Sequence, residues 1–173
     1  MPNLDQDQRF LASGIPVLSD YLLSKELLYP LDGDLPRLTI GNLLLAQLRL
    51  QATGHNQSST QIEEVHKKWR RAWEQKAARE IHMRFELWRD FLGEYKSSHE
   101  GHVDRYPVEV RHRVILQILS DEVVKATELD LLPDMDIQLR GSLRNSEFIW
   151  EKEVASGFER TAYWYLYGNL KTT

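Results

Sequence analysis

The sequence contains no cysteine. That excludes a disulfide framework, a thiolate metal site and a cysteine nucleophile. Proline is missing between Pro36 and Pro107, and the only glycines in that interval are Gly41, Gly54, Gly93 and Gly101. Long helices are therefore expected in the middle of the chain. Long aliphatic runs are absent too. The longest, Leu43-Leu44-Leu45-Ala46, falls far short of the roughly 20 residues a membrane-spanning helix needs. Met1-Pro2-Asn3-Leu4-Asp5 has neither the basic start nor the apolar stretch of a signal peptide, so a soluble cytoplasmic protein without a membrane partner is expected. No Gly-x-x-x-x-Gly-Lys loop, Gly-x-Gly-x-x-Gly, Gly-x-Ser-x-Gly or His-Glu-x-x-His occurs, which removes the commonest nucleotide, hydrolase and zinc-protease signatures. No cofactor is implied.

What remains is 42% hydrophobic and 28% charged residues over 173 positions, enough for one domain with a sizeable core. The patterning predicts an all-α bundle of about five to seven helices in a single domain, residues 1–173. A short helix is expected near Asp5–Ala12, and Pro16 opens a second to about Tyr29. Residues 39–52 carry Ile40, Leu43, Leu44, Leu45, Ala46, Leu48 and Leu50 around most of a helix, which is the signature of a buried one.

The strongest periodicity follows. Ile62, Val65, Trp69, Trp73, Ala77, Ile81, Phe85, Trp88, Leu92 and Tyr95 recur with a mean spacing of about 3.67, close to an 11-residue repeat. One long central helix over 59–96 is predicted, about 55 Å in length and longer than a compact domain of this size. Residues 59–126 would then form a long helical hairpin, its second arm opened by Pro107. The stretch containing Pro133 and Gly141 reads as a short helix or irregular connection, and 146–167 as a C-terminal helix stopped by Gly168. No segment alternates long enough to demand a sheet.

Five constellations could carry function. Lys67, Lys68, Arg71, Arg79 and Arg89 collect opposite the apolar stripe. They form a basic face that is either solvated or open to an anionic partner. Lys76, Glu80 and Arg84 follow one another four apart, with Glu80 and Arg84 inside the apolar sector. That pattern fits a buried ion network, or a polar pocket in which Arg84 holds an anion. His99 and His102, with Glu100 and Asp104, are weak metal candidates, and a solvated loop is the preferred reading. The pairs Glu63–His66 and Glu109–His112 have di-metal spacing, but a hairpin would hold them some 30 Å apart. Finally, Tyr163, Trp164 and Tyr167 crowd the last predicted helix with Tyr165. They cannot all face one core, so some are expected at an interface.

The net charge of −4 conceals a segregation. Residues 1–58 carry four basic and six acidic groups, residues 59–98 nine and seven, and residues 99–173 nine and thirteen. The function expected from these features is a non-enzymatic protein–protein interaction or assembly subunit, binding a protein partner or a second copy of itself. A nucleic-acid-binding subunit using the basic face is the first alternative, and a metal- or ligand-binding enzyme the second.

Overall fold

The computed structural model describes residues 3–172. It shows an all-α bundle. The α-helices are α1 (Leu4–Gly14), α2 (Leu18–Leu23), α3 (Ile40–Ala52), α4 (Ser59–Lys68), α5 (Arg70–Ser97), α6 (His102–Glu109), α7 (Arg111–Leu119) and α8 (Thr127–Ser142). Two short strands, β1 (Leu143–Asn145) and β2 (Gly168–Leu170), pair antiparallel with Leu143 opposite Leu170 and Asn145 opposite Gly168. Gly168 begins a strand and does not end a helix. A Cβ there would lie 2.9 Å from the Arg144 carbonyl oxygen, so only glycine lets the two chains approach.

Helix α3 sits inside, packed by α1, α5, α7 and the turn at residues 152–157. Its start is fixed locally, since the Thr39 hydroxyl accepts from the Asn42 N–H at 3.0 Å. Gly41 is required by packing. A Cβ would fall 2.3 Å from Ile115 Cγ2 and 2.5 Å from Glu80 Oε1.

The central helix is present but shorter than the periodicity suggested. Its 28 residues span about 42 Å. At Trp69 the backbone leaves the helical region (φ −119, ψ 36), and the stretch divides there into α4 and α5. The Val65–Trp69 and Trp69–Trp73 backbone bonds survive at 2.9 Å each, and the His66 ring stacks on Trp73 across the break. The predicted length is thus shared between two helices. Along α5 the apolar stripe is buried from Trp73 to Tyr95, whereas Val65 and Trp69 are half-buried.

Two expectations near the C-terminus need correction. Residues 127–142, expected to be short or irregular, form a 16-residue helix that accommodates Pro133. Conversely, residues 146–167 do not form a helix. They run through 3₁₀ turns at Lys152–Gly157 and Trp164–Leu166. The cause is tertiary. Phe148, Trp150, Tyr163 and Tyr167 gather around Phe158 with ring centroids 5.1–6.4 Å apart, on sides that no single helix face could supply. The second arm of the expected hairpin is likewise divided, α6 beginning before Pro107 and α7 ending at Leu119.

Candidate functional site

Glu80 is wholly buried and sits at the N-terminus of α3. Its Oε1 accepts from the Thr39 hydroxyl at 2.7 Å and from Arg84 Nε and Nη2 at 3.1 and 3.0 Å. Its Oε2 accepts from the Gly41 N–H at 2.8 Å. A carboxylate on another helix thus completes the cap of α3, where unpaired N–H groups and the helix dipole favour negative charge. Arg84 Nη2 also donates to Asn42 Oδ1 at 3.1 Å, which accepts from Arg111 Nη2 at 3.0 Å. Arg84 Nη1 lies 3.2 Å from His112 Nδ1. Because Arg84 can only donate, His112 accepts there and carries its proton on Nε2, 3.6 Å from Glu109. Burial, then the Arg84 and Arg111 charges, push the His112 imidazole down to about 3. Burial and Arg84 pull Arg111 down to about 10.

A second buried group adjoins this one. Arg49 donates to Asp7 at 2.8 Å and to Glu151 at 3.1 Å, tying α1 and the C-terminal turns to α3. Burial raises Asp7 above the ordinary carboxylate range, with Arg49 opposing the shift. The opening beside both groups, lined by Asp7, Asn42 and Arg111, measures about 10 Å³, room for about one water. Arg84, Glu80 and their neighbours are occupied with one another, the pattern expected of a network that fixes helix packing. Lys76 does not belong to it. Its ammonium donates to the Ser24 and Glu26 carbonyls beyond the end of α2 and lies over the Tyr21 ring at 4.7 Å. Burial and the Arg79 charge lower its affinity for a proton.

All five basic-face residues are exposed, but they do not form one row. Lys67 and Lys68 lie on α4, beyond the break. Arg79 donates to the Lys25 carbonyl at 3.3 Å, and Arg89 pairs with Glu86 and Asp90. Lys67, Lys68, Arg70 and Arg71 make no ion pair among the described residues, with Lys68 lying over Trp69 at 5.4 Å. Of the loop histidines, His99 meets the edge of Tyr95 at 4.4 Å. His102 is buried beside Phe91, with Nδ1 3.0 Å from the Glu100 carbonyl and Nε2 3.4 Å from Glu94. Among the described residues no group of three His, Asp or Glu is placed to hold a metal ion, and no helix is long and apolar enough to cross a membrane.

The aromatic residues at the C-terminal end line a cleft. Tyr167, Trp164, Arg140, Arg160, Asn145 and Thr161 bound about 370 Å³ of space together with Leu143. The last turn of α8 delivers Arg140, whose guanidinium lies 3.7 Å from the centre of the Trp164 ring. Arg160 lies 5.2 Å over Tyr167, and that ring is anchored by its hydroxyl donating to the Phe158 carbonyl at 2.7 Å. Leu143 and Asn145 share one side of β1, so the exposed Arg144 between them points elsewhere. Tyr163 is half-buried against Phe158 at 5.1 Å. The two arginines had no signal in the sequence. Arg140 meets Trp164 across 24 positions, and Arg160 approaches Tyr167 through the irregular turns that replace the predicted helix. Comparison with protein-family models, curated proteins and solved structures finds no match.

Proposed function

We propose that this chain is a non-enzymatic interaction or assembly subunit that docks a partner through its C-terminal arginine–aromatic face. The observation that supports it is the cleft itself. Trp164 and Tyr167 are partly exposed, and the guanidiniums of two exposed arginines lie over their rings. Trp, Tyr and Arg are the residue types that dominate interface energetics when they cluster around a depression. The polar groups in the interior support the same reading from the other side, because they are engaged in holding α3 in place.

The test pairs mass with co-isolation. Sedimentation of the purified protein at high micromolar concentration reports self-association. Quantitative co-isolation from the native cell, wild type against Trp164→Ala, reports a partner whose retention depends on this face. A monomer that retains the same proteins in both forms would overturn the proposal.

A second reading has its own observation. Lys67, Lys68, Arg70 and Arg71 form an exposed cationic knob without carboxylate partners beside a half-buried tryptophan. Such a knob suits a nucleic-acid backbone, and binding through it would weaken steeply with salt. No binding to single- or double-stranded nucleic acid at low salt removes this alternative.

A further inference from the structure

We infer that the cleft between α8 and the Trp164–Leu166 turn is a phosphoryl-binding site, taking a phosphate monoester with an organic group attached. It shares a surface with the interaction reading but does not depend on it.

Charge comes first. Arg140 and Arg160 both line the cleft, and neither makes an ion pair among the described residues. Every other wall residue is neutral, so two full positive charges face one space. Geometry comes second. The Arg140 guanidinium carbon lies 3.7 Å from the centre of the Trp164 ring and that of Arg160 5.2 Å from the centre of the Tyr167 ring, and a cation held over a ring keeps its N–H groups for other acceptors. Asn145 and Thr161 add an amide and a hydroxyl to the same wall.

The shape of the donor set selects the ligand. A carboxylate carries one charge and two oxygens in a plane, which one arginine fork satisfies. Two forks with two charges match a phosphate monoester, which has three terminal oxygens and about −1.5 to −2 charge near neutral pH. The walls also contain Leu143 and the rings of Trp164 and Tyr167, which can hold an apolar or planar substituent. A volume of about 370 Å³ accommodates such a group, since small-molecule sites generally begin at roughly 300 Å³.

The full chain is titrated with inorganic phosphate, phenyl phosphate and benzenesulfonate, while the indole N–H resonances of its tryptophans are followed by NMR. Phenyl phosphate is expected to bind saturably with the Trp164 signal shifting most, and at least about tenfold more tightly than benzenesulfonate, a difference of about 1.4 kcal/mol. Arg140→Gln and Arg160→Gln, both exposed positions, should each weaken binding about tenfold while the rest of the spectrum stays native. Arg140→Lys should recover only part of the affinity, because it restores charge without the planar fork. Three outcomes overturn the inference. The first is no saturation by about 10 mM phenyl phosphate, far above a useful site. The second is equal affinity for the sulfonate, and the third is unchanged affinity in the Arg140→Gln/Arg160→Gln double variant. If phosphate probes fail while Trp164→Ala still loses a co-isolated protein, the interaction reading survives alone. If they bind and no partner exists, the phosphoryl site survives alone.

A phosphorylated side chain on a partner and a free metabolite present the same group. A phosphotyrosine peptide beside phenyl phosphate separates them. A peptide that binds no more weakly than phenyl phosphate indicates a site open enough for a protein-borne group, and exclusion of the peptide indicates a small molecule. Either result requires that phenyl phosphate itself binds.

Discussion

His112 gives the protein a defined sensitivity to acid. Its ring accepts a hydrogen bond from Arg84 and stands beside Arg111, so protonation would place a third cation against two guanidiniums inside the fold. The folded-state value of about 3 lies below the ordinary 6.5. The unfolded chain therefore binds the extra proton first, and stability contributed by neutral His112 is lost as pH falls from about 6.5 toward 3. Between pH 7 and pH 5 this one group removes about 2 kcal/mol, and over the whole window roughly 4 to 5 kcal/mol. That is a large share of the ~5–15 kcal/mol by which a domain is normally stable. The assay is urea unfolding at pH 7, 6 and 5 for wild type and His112→Asn, whose amide oxygen can stand where Nδ1 accepts. Asp7 and Glu151 shift in opposite directions, but both proteins contain them and they cancel in the comparison. Wild type should lose about 2 kcal/mol more than the variant between pH 7 and pH 5. Parallel curves would show that His112 is not held neutral by its neighbours, and the electrostatics described for the network would be wrong.

Other consequences are as direct. Gly41→Ala forces a methyl against Ile115 and Glu80, and should cost about 3 kcal/mol by thermal or urea unfolding; a loss below about 1 kcal/mol would mean that α3 is not clamped there. Glu80→Gln keeps the volume but strands the Arg84 charge, so a destabilisation of about 3–5 kcal/mol is expected, and a neutral result would contradict the buried pairing. Neutralising Lys67, Lys68, Arg70 and Arg71 to Gln should change the unfolding free energy by no more than about 0.5 kcal/mol per substitution, as these are exposed positions. The same variant should abolish any salt-dependent nucleic-acid binding, and retained binding would move that activity to another surface.

How legible the molecule was in its sequence depended on whether information was local. The inner helix at 40–52 and the stripe from Trp73 to Tyr95 declare themselves, because a helix periodicity needs only its own neighbours. Glu80 and Arg84 were visible as charges in an apolar sector. Their partners Thr39, Asn42, Arg111 and His112 come from two other helices and had no such mark. Lys76 looked like a member of the group by spacing alone, yet it leans toward carbonyls after α2. The break at Trp69 contains neither proline nor glycine, so nothing local announces it. Residues 146–167 were misread for the opposite reason. Their apolar spacing fits a helix, but packing of aromatic rings from several directions outweighs it.

The irregular C-terminal segment also bears on the order in which the chain folds. Three hydrogen bonds through side chains tie it to the helices. The Tyr106 hydroxyl donates to the Tyr165 carbonyl at 2.7 Å, Tyr95 to Lys171 at 2.8 Å, and the Trp150 indole reaches back to Pro107 at 2.8 Å. Those bonds join positions 59, 76 and 43 residues apart, so loop-closure entropy opposes them until the helices are assembled. The segment is thus placed to close last, and contacts that form after the rate-limiting step govern how fast the native state is lost. Tyr106→Phe should accordingly speed unfolding with little change in the folding rate. The cleft that Trp164 and Tyr167 help to build would then exist only once folding is complete, so a partner that recognises it also distinguishes finished molecules from unfinished ones.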